Sequence, residues 1–148
     1  MDFSKYDARA AAEIARPLHI KGLDGVLLED GGKPCRVWVK GSASHSVQDA
    51  IRAALRNQMK AKDDDARTLE DLHDDIVRAA ARMVTGFENI HRGDVLAKVP
   101  DDVEWFLNLT FYSLAKDEKG KPMRLSFAQQ VVEFGTDDPG FLASALKA

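Results

Sequence analysis

The spacing of hydrophobic positions changes twice along the chain. At the start, the alanine run Ala8–Ala12 favours a short helix over residues 2–15, anchored by Phe3, Tyr6 and Ile14. Pro17 ends it, because a residue before proline is pushed out of helical backbone geometry. The period then shortens to two. Leu18 and Ile20 flank His19, Val26-Leu27-Leu28 follows the break Gly22-Leu23-Asp24-Gly25, and Arg36-Val37-Trp38-Val39-Lys40 follows the break Asp30-Gly31-Gly32-Lys33-Pro34. Short runs of β-formers between Gly/Asp turns predict an antiparallel β-meander of about three strands over residues 16–41. Such a sheet is stable once a helix covers one face.

Beyond Gly41 the period lengthens to that of a helix. Ser42, Ser44 and Ser46 are N-cap candidates, since a serine oxygen accepts from the free N–H groups of a first turn. Val47, Ile51, Leu55 and Met59 then form one stripe, with Arg52, Arg56, Lys60 and Lys62 on the other face. After Asp63-Asp64-Asp65, the positions Leu69, Leu72, Ile76, Ala80 and Met83 keep the same spacing. Gly86 is the expected C-cap, which completes a helical pair over 46–85, as an antiparallel hairpin or as one longer interrupted helix. Residues 86–100 carry no period and are the best candidate for a hinge. Over 100–147, Asp101 or Asp102 is placed to cap a helix carrying Val103, Phe106, Leu107 and Phe111. Ser126 is placed to cap one carrying Phe127, Val131 and Phe134. Asp138-Pro139 opens a last helix with Phe141, Leu142 and Leu146. The expected fold is a single α+β domain, 1–148: an N-terminal antiparallel β-meander followed by a mostly α-helical bundle.

Composition narrows the function. At 148 residues, 45% hydrophobic and 30% charged, the chain is rich enough to bury a core. A net charge of −3 lacks the basic surplus of a protein that coats nucleic acid. One cysteine, Cys35, forbids an intrachain disulfide and favours a reducing compartment. No apolar run approaches the roughly 20 residues of a membrane span. Met1–Lys5 lacks a signal peptide's basic-then-apolar order, so a cytoplasmic protein is expected.

Candidate chemistry is sparse. Glu70 and His73, or Glu70 and Asp74, share a helix face at metal-ligand spacing, but a solvated charged face explains them more simply. Cys35 sits in a predicted strand with no base beside it and reads as a structural thiol. Gly41–Ser46 lacks the lysine of a phosphate-binding loop. The stripe Arg52, Arg56 and Lys60 would suit a small nucleic-acid-binding regulator, but no aromatic platform accompanies it, and nucleic acid is not an expected partner. No catalytic residue, cofactor or metal is expected, and the chain does not read as an enzyme. The remaining signal is the concentration of Phe87, Trp105, Phe106, Phe111, Phe127, Phe134 and Phe141 in the second half, as core and as lining for a partner's apolar helix.

Three segments carry a resemblance. Arg16-Pro17-Leu18-His19-Ile20 through Arg36-Val37-Trp38-Val39-Lys40-Gly41-Ser42 is similar to the β block that opens many small phage tail proteins. Met83–Ile90 with Val103-Glu104-Trp105-Phe106-Leu107, and Leu125–Phe134 with Asp137–Leu142, resemble the middle and closing helices of the tail assembly chaperones of long-tailed bacteriophages and related prophages. Many members of that family are predominantly helical, and the β block here departs from them. The resemblance implies a protein of the bacterial host cytoplasm that coats the long tape measure protein before tail tube subunits polymerise around it. Tape measure protein and tail tube protein are then the expected partners, and self-association is a further expectation. A tail completion or connector subunit is the alternative within the same setting.

Overall fold

The computed structural model describes residues 3–44, 47–49, 69–116 and 118–147. In chain order these form a single 3-10 turn (Phe3–Tyr6), α1 (Ala8–Ala12), β1 (Arg16–His19), β2 (Glu29–Asp30), β3 (Lys33–Pro34), β4 (Arg36–Val39), α2 (Leu69–Met83), β5 (Val84–Glu88), β6 (His91–Arg92), β7 (Val95–Leu96), α3 (Val103–Asn108), β8 (Thr110–Lys116), β9 (Pro122–Ser126), α4 (Phe127–Gly135) and α5 (Asp138–Lys147). No helix among the described residues is long and apolar enough to cross a membrane.

The central sheet is antiparallel in the order β1-β4-β5, with Leu18 opposite Val37 and Val37 opposite Phe87. Alternation along β4 sends Val37 and Val39 inward, where both are fully buried, and turns Trp38 outward. Helices α2 and α4 pack together over the inner face through Val77, Ala80, Met83 and Val131, and α3 adds Phe106 and Leu107. Gly135 permits the closest approach, because a Cβ there would meet Met83 Sδ at 2.6 Å.

This arrangement overturns the expected order of a β-meander followed by a helical bundle. The third strand of the sheet is β5, from the middle of the chain, and not Val26–Leu28. Leu28 instead bridges two segments: its N–H donates to the Ile20 carbonyl at 2.9 Å, and its carbonyl accepts from Cys35 N–H at 3.0 Å. The chain on either side turns away, through Gly25 at φ 75 and through Gly31 and Gly32 at φ 61 and 78. Gly86 does not cap α2. It lies in β5 opposite Trp38, whose indole packs on the glycine backbone. The second half is not a helical bundle: strands are interleaved with its helices. β6 pairs with β7, and β8 pairs with β9 around a turn containing Gly120. The helix expected to carry Phe111 stops at Asn108, because Thr110-Phe111-Tyr112 are β-formers with alternating exposure.

Of the helical pair 46–85, α2 is described from Leu69. His45, Ser46, Ile51, Leu55, Met59, Asp63–Asp65 and the basic residues Arg52, Arg56, Lys60 and Lys62 lie outside the described residues. Ser44 acts as the cap ahead of Val47, its Oγ accepting from Val47 N–H at 3.3 Å. At the N-terminus, Phe3, Tyr6 and Ile14 are exposed, and the anchors are Ala11 and Ala12. These lie against Gly41, where a Cβ would come within 2.9 Å of Ala12 Cβ, while α1 packs on α5.

Candidate functional site: an aromatic row ending in an apolar pocket

Four of the rings singled out in the sequence form one row. Phe87 meets Phe106 edge-on at 5.2 Å between centroids, Phe106 stacks on Phe127 at 4.8 Å, and Phe127 touches Phe111 at 5.0 Å. The row starts under the central sheet, crosses α3 and the first residue of α4, and ends on β8. Phe106 is 2% exposed and therefore sealed in the core; Phe87, Phe111 and Phe127 are half-buried.

The other three rings stand apart. Phe134 and Phe141 meet at 5.8 Å, and the Arg16 guanidinium lies 5.1 and 5.0 Å from their centroids. Arg16 Nη1 also faces Asp137 at 3.7 Å. Phe141 is 1% exposed and presents no surface. Trp105 is half-buried under Arg92, whose Nη1 donates to Asp102 Oδ1 at 3.3 Å. The Asp102 carboxylate accepts from Lys98 N–H at 2.8 Å and gives no side-chain cap to α3.

Where the row reaches the surface there is an open pocket of about 450 Å³, lined by Gly22, Leu23, Asp24, Leu28, Phe111 and Phe127. Its lining is mostly apolar, and its one carboxylate, Asp24, already accepts from Val26 N–H through Oδ1 at 3.1 Å. Two links hold its walls. Leu114 N–H donates to the Leu23 carbonyl at 3.1 Å, joining β8 to the loop after β1. Gln130 on α4 grips the backbone of Lys21 at both ends: Oε1 accepts from its N–H at 2.8 Å and Nε2 donates to its carbonyl at 2.9 Å. Leu23 is 46% exposed at the pocket, and the same two segments expose further large apolar side chains: Val26 at 60%, Leu27 at 47%, Tyr112 at 64% and Leu114 at 72%. Sequence reading missed these exposed residues. The alternation Phe111-Tyr112-Ser113-Leu114 is the signal that places Tyr112 and Leu114 outward.

The polar candidates are not gathered into a reactive cluster. Among the described residues no group of three or more His, Cys, Asp or Glu could hold a metal ion, and the side chains of Glu70 and Asp71 lie outside the described ones. His19 donates through Nε2 to the Leu28 carbonyl at 2.7 Å. Burial, then the charges of Asp30 and Glu29, raise the Cys35 thiol above its ordinary pKa, so it stays protonated and weakly nucleophilic at neutral pH. No family model matches this chain, and no curated protein and no solved structure matches it either.

Proposed function

We propose that this chain is a protein-holding module that covers an apolar stretch of a client during assembly, in the manner the resemblance to phage tail assembly chaperones implies, with the tape measure protein as client. The observation that supports it is the aromatic row opening into an apolar pocket, with Leu23 exposed at the pocket and Val26, Leu27, Tyr112 and Leu114 exposed on the segments that form it. Large exposed apolar patches mark interaction sites. The pocket takes one or two large side chains of an amphipathic client helix, the recurring mode in which apolar anchors seat in a groove. A client that must later be released is held better by several modest contacts than by one deep anchor. The tail tube protein is the second partner in this reading.

Co-expression with a phage tape measure protein tests it. A soluble complex with the wild-type chain, lost or much reduced with Leu114→Lys or Leu23→Lys, is the expected result. A tape measure protein that remains equally insoluble, with no purified complex, overturns it. Mass spectrometry of finished particles separates this role from that of a connector subunit, because a chaperone is absent from them and a structural subunit is present.

A further inference from the structure

We infer that the β8–β9 hairpin recognises acidic residues beside an apolar stripe, so that the client segment held here is an amphipathic helix bordered by Asp and Glu. The inference rests on the holding role proposed above and adds the chemistry of what is held. It starts from a local reversal of charge. The chain carries a net charge of −3, yet residues 110–126 hold four basic side chains, Lys116, Lys119, Lys121 and Arg124, against two acidic ones, Asp117 and Glu118. Lys116 and Arg124 are exposed, and among the described residues neither side chain has an ion-pair partner. Residues 50–68, outside the described ones, hold five basic and three acidic residues and so add positive charge rather than cancel it.

The two cations stand among apolar side chains. Tyr112 lies directly opposite Arg124 in the β8–β9 register, so these two side chains share a face of the hairpin. The register shifts before the next pair, Lys116 opposite Pro122, and exposure marks the positions between: Leu114 is 72% exposed and Met123 47%. A partner that is apolar and acidic together matches this surface. Nucleic acid would satisfy the cations but would set phosphates, not apolar surface, against Leu114 and Met123. An anionic membrane asks for apolar residues at the hairpin tip, whereas the residues between the two strands are Asp117-Glu118-Lys119-Gly120-Lys121. A protein segment with acids along the border of its apolar stripe satisfies both kinds of side chain, and complementary charge of this sort sets which partner is accepted.

Two synthetic helical peptides with the same leucine stripe, one bordered by glutamates and one by lysines, test this by fluorescence anisotropy against the full chain. The acidic peptide should bind about tenfold more tightly, and its affinity should fall as salt rises. The direction is diagnostic, because the chain's net charge of −3 favours the lysine peptide unless the hairpin decides. Lys116→Glu combined with Arg124→Glu, both at exposed positions, should weaken binding of the acidic peptide about tenfold and leave the melting temperature unchanged. Equal affinity for the two peptides, binding of neither, a preference for the lysine peptide, or an unchanged Kd in the folded double variant overturns the inference. Tighter binding of a single-stranded oligonucleotide than of the acidic peptide overturns it too. The holding role is judged separately. A chain that solubilises the tape measure protein without distinguishing the peptides keeps that role and loses this inference. A chain that prefers the acidic peptide but leaves the tape measure protein insoluble keeps the acid-recognising surface and loses that client.

Discussion

Asn89 is the residue on which the turn after β5 depends. Its φ of 57 is a left-handed conformation that asparagine tolerates better than most side chains, and its Nδ2 donates to the carbonyls of Asp30 and Lys33 at 3.0 and 2.9 Å. One side chain thus ties the β2–β3 hairpin to the central sheet. Asn89→Ala loses both bonds and strains the backbone, and should cost about 1–3 kcal/mol in chemical denaturation; Asn89→Gly, which relieves the strain but not the lost bonds, should cost less. At Cys35 the raised pKa has a definite sign. The folded state favours the neutral thiol, so this group leaves stability unchanged at neutral pH and lowers it as pH rises past the pKa of the unfolded thiol. Alkylation by iodoacetamide should be slow at pH 7 in the native protein and speed up on unfolding in urea. The sequence predicts a buried thiol within a strand at Cys35; the structure puts it half-buried between β3 and β4. The Asn89 clamp was not legible in the sequence, because nothing in Phe87-Glu88-Asn89-Ile90 announces partners some 60 residues earlier in the chain.

At the scale of elements, local signals were legible and long-range pairing was not. Ser126 caps α4 as its position predicts, its Oγ accepting from Gln129 N–H at 3.3 Å, and Ser126→Ala should lower stability by about 1 kcal/mol. The start of α5 was legible to within one residue: Asp137, not Asp138, supplies the cap, its Oδ1 accepting from Gly140 N–H at 3.2 Å. By contrast, Val84–Glu88 reads as the frayed end of a helix when taken alone. It becomes a strand because β4 offers it a partner, with Val37 opposite Phe87 and Arg36 opposite Glu88. The same limit hid half of the candidate site. The rings were visible in the sequence as a cluster, but the pocket exists only because β8 meets the loop after β1 at Leu114 and Leu23. Gln130→Ala should loosen that loop, raising amide exchange at residues 20–28 with little change in global stability, since the rest of α4 stays packed in the core.

At the scale of the whole molecule, the two ends of the chain pack on each other and are fastened to the body in part by two cations. Arg16 lies over Phe134 and Phe141 and faces Asp137, while Lys40 Nζ meets Glu13 Oε2 at 3.1 Å beside it. Arg16→Ala should cost about 1–2 kcal/mol and raise amide exchange in α1 and α5 together, leaving the central sheet protected. The pocket lies apart from this clamp, on the surface formed by residues 20–28 and the β8–β9 hairpin, so loosening the ends should leave client binding intact. The most direct measurement of the proposed holding role is hydrogen–deuterium exchange on the chain with and without a tape measure protein. The account predicts new protection at residues 20–28 and 110–126, abolished by Leu114→Lys in a chain whose melting temperature is unchanged. Protection confined to other surfaces, with these two segments exchanging as in the free protein, would contradict it.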